Sequence, residues 1–262
     1  LSVDGGTIKL DGNYPVGTRN VALGDTALDS ITSGAFNNIA IGDAALTALT
    51  DGDNNVAIGR NALTSATTAQ INTSVGHETL VSLTTGGFNT ALGGYALNAN
   101  TTASNNTAVG YQAGYSNTTG EYSTMVGWSA GYANTTGSIE AFGAGALDAN
   151  TTGTFNAAFG RSALTSNTTG NNNVAIGYAS LLLNTTASNN TAVGYQASYS
   201  STETGGNTAV GYQSLYANTG SDNSALGIRS LTSNTTGTKN TAIGYDALTS
   251  NTTASYNTAV GY

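Results

Sequence analysis

One phrase returns along the chain at a fixed interval. Asn106-Thr107-Ala108-Val109-Gly110-Tyr111 is answered seventeen residues later by Ser123-Thr124-Met125-Val126-Gly127-Trp128. Aligned on its glycine, the phrase occurs fifteen times, from Gly24 to Gly261. Of the fourteen spacings eleven are 17, one is 18 and two are 16, so the register never breaks. Self-similarity at a fixed period marks a repeat architecture and outranks local propensity as a guide to fold. With places counted from the Asn, the consensus is N-T-A-V-G-Y-x-A-L-x-S-N-T-T-G-x-x. Place four is apolar in all fifteen copies, place nine is Leu in eleven of fourteen, and place thirteen is Thr in all fourteen, Thr32 to Thr252.

Seventeen residues are too few for a helix-pair repeat. A glycine in every unit beside β-branched residues also disfavours helix. In a strand, alternate residues face opposite sides, so places two and four share one face, as in Val174 and Ile176. Places three and five, Ala175 and Gly177, share the other. The pattern predicts an all-β chain, a parallel β-solenoid (β-roll or β-helix) with one repeat of about 17 residues per coil, stacked at about 4.8 Å. It divides the chain into an N-terminal entry strand and cap region over 1–19 and a solenoid of fifteen repeats over 20–262, the last one truncated. Pro15, the sole proline, precedes the first coil, as expected of a residue that would delete a ladder hydrogen bond. Gly at place five, and Gly or Ala at place fifteen (Gly120, Gly137, Gly170), are the expected corners.

Each coil offers two or three sizeable apolar side chains, at places four, nine and sometimes two. Burying each yields roughly 1.5–3 kcal/mol, against an ordering cost of about 1–2 kcal/mol for each of its residues. A thin single-chain solenoid is therefore marginal. The Ala/Gly strip would let another backbone approach closely, which predicts lateral association of identical chains as a homotrimer. Ala108, Val109, Gly110, Ala175, Ile176 and Gly177 are the expected structural and assembly residues. The alternative is that Ala and Gly fill a narrow solenoid interior.

Only 8% of the residues are charged and the net charge is −8, while disordered chains combine high charge with no apolar periodicity. Six basic residues stand singly, which argues against nucleic acid, because phosphate neutralisation needs clustered charge. No apolar run approaches the roughly 20 residues of a membrane span, so no membrane insertion is expected. There is no cysteine, hence no thiolate metal site. Leu1 at the start and a last repeat that stops at Tyr262 suggest a segment of a longer polypeptide.

The phrase "NVAIG" (Asn55–Gly59, Asn173–Gly177) resembles the head repeat of trimeric autotransporter adhesins, which form trimeric parallel β-rolls. The coil is longer here, and "NTTG" is added. The "NTAVGYQA" and "NTTG" segments are more similar to repeats of phage tail-fibre and related virion structural proteins. The opening from Gly5 to Leu28 resembles virion proteins of marine T4-like phages. These resemblances cover about nine-tenths of the chain. They imply a fibre segment, a tail-fibre shaft that supports host attachment, in a virion or at an extracellular surface. A bacterial surface adhesin or extracellular filament whose side binds a host cell-surface glycan or protein is the alternative.

Catalysis requires converging acids, bases or nucleophiles. His77 is the only histidine, no acidic pair recurs at fixed spacing, and the calcium-binding nonapeptide is missing. No catalytic residue, metal site or cofactor is expected, and the chain reads as a non-enzyme. Aromatic residues do recur, at place six as Tyr111, Trp128, Tyr178, Tyr195, Tyr212, Tyr245 and Tyr262, and at place ten as Tyr115, Tyr132, Tyr199 and Tyr216. Such a column is either a binding stripe or a cover for the solenoid edge. The Thr rank at place thirteen invites an ice-binding reading, opposed by the lack of a second complete rank two residues away. Its hydroxyls can instead satisfy backbone groups, and Asn at place twelve can form stacked amide ladders.

Overall fold

A computed structural model describes residues 19–31 and 34–262. The expected entry strand and cap over 1–18, with Pro15, and Thr32 of the threonine rank lie outside the described residues. Fifteen short strands occur among the rest: β1 (Val21–Leu23), β2 (Ile39–Ile41), β3 (Val56–Ile58), β4 (Thr73–Val75), β5 (Thr90–Leu92), β6 (Thr107–Val109), β7 (Thr124–Val126), β8 (Ile139–Phe142), β9 (Asn156–Phe159), β10 (Val174–Ile176), β11 (Thr191–Val193), β12 (Thr208–Val210), β13 (Ser224–Leu226), β14 (Thr241–Ile243) and β15 (Thr258–Val260). No helix occurs among the described residues. The chain is a parallel β-solenoid with one repeat per coil. The described residues form two compact units, divided between Thr124 and Met125.

In the first unit β1 to β6 pair in parallel in chain order, and Ala faces Ala across successive coils, as in Ala91 and Ala108. In the second, β8 to β15 do the same, with Ala158, Ala175 and Ala192 in one column. Hydrogen bonding continues beyond the strands. In the coil of Asn55, the Leu63 N–H donates to Thr79 and the Thr67 N–H to Thr84 of the next coil. The Ile71 N–H donates backwards to Asp53. Two tight turns complete the coil: Ala62 N–H donates to the Gly59 carbonyl and Ala66 N–H to the Leu63 carbonyl. Nearly every backbone group thus has a partner in its own coil or a neighbour, as a narrow stack requires.

The turns rest on left-handed residues at fixed places. In the coil of β10 these are Gly177 (φ 126°), Ala179 (54°), Leu181 (49°) and Asn189 (62°). A left-handed leucine is a rare conformer, disfavoured by about 1–2 kcal/mol. It persists because Leu181 is fully buried, its N–H donates to Ala197 and its carbonyl closes the turn with Asn184. The expected corner at Gly177 is genuine: a Cβ there would lie 2.5 Å from the Gly194 oxygen. Gly120, Gly137 and Gly170 do not have positive φ. They sit where buried Asn side chains contact the backbone, and Ala takes the same place in Ala69, Ala103 and Ala187.

The assignment of faces is the reverse of the lateral-association expectation. Ala108 and Ala175 are fully buried within their own chain, while Val109 is half-buried and Ile176 is 42% exposed. Ala therefore fills the interior, and Gly110 and Gly177, at φ 136° and 126°, turn the chain. The bore is narrow: Ala at places three and eight and Leu at place nine occupy most of it. A β-branched column at place four would not fit there, so it stands outside.

Where one interior residue changes, others compensate. Gly131 replaces the usual leucine, and Met125 and Ile139 replace the usual Ala and Asn. A Cβ on Gly131 would meet both of them at 2.9 Å, so their side chains occupy the space the leucine leaves. In the coil of β4, Ser74 replaces Ala and its hydroxyl lies 2.5 Å from that of Thr79, which replaces the place-eight Ala.

Candidate functional site

Inside, the chemistry is amide chemistry. Asn occupies place one in thirteen of fifteen coils, and nearly all of these side chains are buried. Asn173 shows the pattern. Its Nδ2 donates to Asn156 Oδ1 (3.1 Å) of the preceding coil and to the Ala187 carbonyl at the end of its own coil (2.9 Å). Its Oδ1 accepts from the backbone N–H and the Nδ2 of Asn190, at 3.0 and 3.1 Å. Each Asn thus ends the strand ladder of the next coil with a side-chain acceptor. Where Ile139 replaces Asn, the strand lengthens instead: β8 and β9 have four residues and pair Ile139 with Asn156. The consensus contained this column, but its role was not read from it. The signal was there, since no exposed position would hold Asn so consistently.

The expected amide ladder at place twelve is present. Asn150, Asn167 and Asn184 donate in series to Asn134, Asn167's predecessor Asn150, and Asn167, at 2.7–2.8 Å. It ends at Asn184, whose Oδ1 is buried with no partner, because the next coil carries Ser201. In the first unit the same place holds Ile31, Leu49, Ala66 and Leu83, and then buried Asn100 and Asn117. The threonine hydroxyls at place thirteen donate to the next threonine carbonyl, as from Thr151 to Thr168 (3.0 Å) and Thr168 to Thr185 (3.0 Å). Their protons serve the stack rather than solvent.

Outside, two features stand out. The first is the outer strand face, where place four is exposed at Leu92, Phe159, Ile176, Leu226 and Ile243. Phe142 and Phe159 stack there with centroids 4.6 Å apart. A groove on this face runs over Val210, Leu226 and Ile243, flanked by Thr208, Ser224 and Thr241.

The second is the place-six column, and all of its expected members are exposed. In the second unit Tyr178, Tyr195 and Tyr212 stack at 5.3 Å with interplanar angles of 13° and 8°, and Tyr245 stacks on Tyr262 at 5.3 Å. Rings stacked this way cover one another's faces and present edges and hydroxyls. Arg229 lies over Tyr245 and pairs with Asp246, which raises its pKa further. In the first unit Tyr111 meets Tyr95 edge-on at 5.8 Å. Trp128 stands apart, stacked on no ring among the described residues, 60% exposed. His77 lies against Glu78 (3.6 Å) and the edge of Tyr95. Among the described residues no group of three or more His, Asp or Glu is placed to hold a metal.

Comparison with protein-family models, with curated proteins and with solved structures finds no match.

Proposed function

We propose that the chain is a structural, non-catalytic segment of a fibre, a tail-fibre shaft in which three identical chains associate and hold a receptor-binding tip away from the particle. The observation that supports it is the outer strand face. The core is already closed with Ala, Leu and Asn, yet place four still carries exposed Phe159, Ile176, Leu226, Ile243 and Val260 in the second unit and Leu92 in the first, with the other place-four residues half-buried. Contiguous exposed apolar surface of this kind marks an interaction site. Its periodicity matches a partner of the same repeat, so an identical chain fits best. The association surface proposed is thus places two and four.

The test is the mass of the particle in solution by light scattering. Three times the 26.1 kDa chain mass is expected. Leu226→Glu with Ile243→Glu should release single chains that keep their β circular dichroism. A wild-type mass of one chain would remove the trimer and its interface together. The exposed place-six column supports a second reading, an adhesin or extracellular filament that binds a partner along its side.

A further inference from the structure

The place-six column is interrupted in the second unit. Between Trp128-Ser129 and Arg161-Ser162, the intervening coil carries Ala144-Gly145 at the same two places. The missing side chains leave a cleft of about 440 Å³, with Trp128 on one side, Arg161 on the other, and Asp148, Ser162 and Thr165 along it. That volume lies within the roughly 300–1,000 Å³ of small-ligand sites. The gap is not a backbone necessity. Gly145 has φ 67°, close to Ser129 (51°) and Ser162 (58°) at the same place, and a Cβ on it would meet only Ser162 Oγ, at 4.0 Å.

The lining has a definite chemistry. Trp128 offers an indole with no other ring stacked on it. Arg161 leans towards the Tyr178 ring, 6.0 Å from its centroid, and has no acidic partner among the described residues. Thr165 Oγ1 donates to the Gly145 carbonyl at 2.9 Å, which fixes the floor and leaves the hydroxyl oxygen able to accept. Asp148 is half-buried, and this desolvation raises its carboxyl pKa. An aromatic ring beside mixed donors and acceptors suits a ligand with an apolar face and a rim of hydroxyls. One acid and one base together favour a ligand with no net charge.

We infer that this cleft is a subsite for one neutral hexopyranose residue of a glycan. Trp128 stacks on the C–H face of the sugar. The Asp148 carboxylate accepts from hydroxyl groups, and the Arg161 guanidinium donates to hydroxyl or ring oxygens. The inference requires no particular number of chains, so the light-scattering experiment and the one below fail independently.

Trp128 is the only tryptophan in the chain, so its fluorescence reports on this cleft alone. The full chain is titrated with cellobiose, maltose, lactose and chitobiose, and with digalacturonate as the acidic counterpart. A saturable change with at least one neutral sugar is expected, with Kd on the order of 1 mM for so few contacts. Asp148→Asn should weaken it by about tenfold, the worth of a charge-assisted hydrogen bond. Ala144→Tyr restores the repeat's own residue and should abolish binding while the melting temperature holds or rises. Gly145→Gln, which copies Gln112, Gln196 and Gln213, fills the cleft independently should Ala144→Tyr fold poorly. The inference is overturned by no saturable change with any neutral sugar, by tighter binding of digalacturonate, or by a response that survives in a folded filling variant.

Discussion

Asn173→Ala tests the internal ladder most directly. The truncation removes an acceptor used by the buried Asn190 backbone N–H (3.0 Å) and by Asn190 Nδ2 (3.1 Å). It strands little else. The Ala187 carbonyl keeps its bond from Asn184 Nδ2 (3.2 Å), and Asn156 Oδ1 keeps the Asn173 N–H (3.0 Å). Two buried donors are left unpaired, each worth about 1–3 kcal/mol, so the expected loss is about 2–6 kcal/mol. Thr191→Ala, at an outward and half-buried place, should change stability by no more than about 0.5 kcal/mol. Repeat stacks open locally rather than as one block, so hydrogen exchange of the Asn190 amide is the sharper assay, supported by urea unfolding. Exchange at Asn190 should accelerate by more than about tenfold, which corresponds to 1.4 kcal/mol. If Asn173→Ala exchanges and melts like wild type, the amide column does not hold the coils together and the energetic account of the interior is wrong.

Three further outcomes follow from the same geometry. Gly177→Ala forces a side chain into φ 126° with its Cβ 2.5 Å from the Gly194 oxygen; a loss of more than about 2 kcal/mol is expected in thermal or urea unfolding. Ser201→Asn supplies the donor that Asn184 Oδ1 lacks and should stabilise by about 1 kcal/mol, seen as a higher melting temperature. Desolvation raises the Glu140 carboxyl above its ordinary 4.5, so the folded state holds this proton more tightly than the unfolded chain does. That contribution to stability is present at acidic pH and is lost as pH rises from about 4.5 through the raised folded value. Glu140→Gln should flatten the fall in melting temperature across that window, and an unchanged pH profile would refute the assignment.

Period, strand content and coil size were legible in the sequence because a seventeen-residue repeat with fixed Gly and apolar places leaves few architectures open. Which face lay inside was not, because alternation separates two sides of a strand without labelling them. The deciding quantity is the bore of the coil. With Leu at place nine and Asn at place one already inside, place three holds the small Ala175, fully buried, and the more apolar Ile176 stands outside at 42% exposure. Frequency carried the missing information: thirteen Asn at one place mean that a buried polar group is being satisfied there, and stacked coils satisfy it with their own copies. The Trp128 cleft was illegible for the opposite reason. It exists only because Ala144 and Gly145 depart from the consensus, and a departure gains meaning once later coils of the same unit are seen to carry a wall of rings 5.3 Å apart at place six. In a chain of this kind the repeats build the scaffold, and specificity resides in the coils that break the pattern.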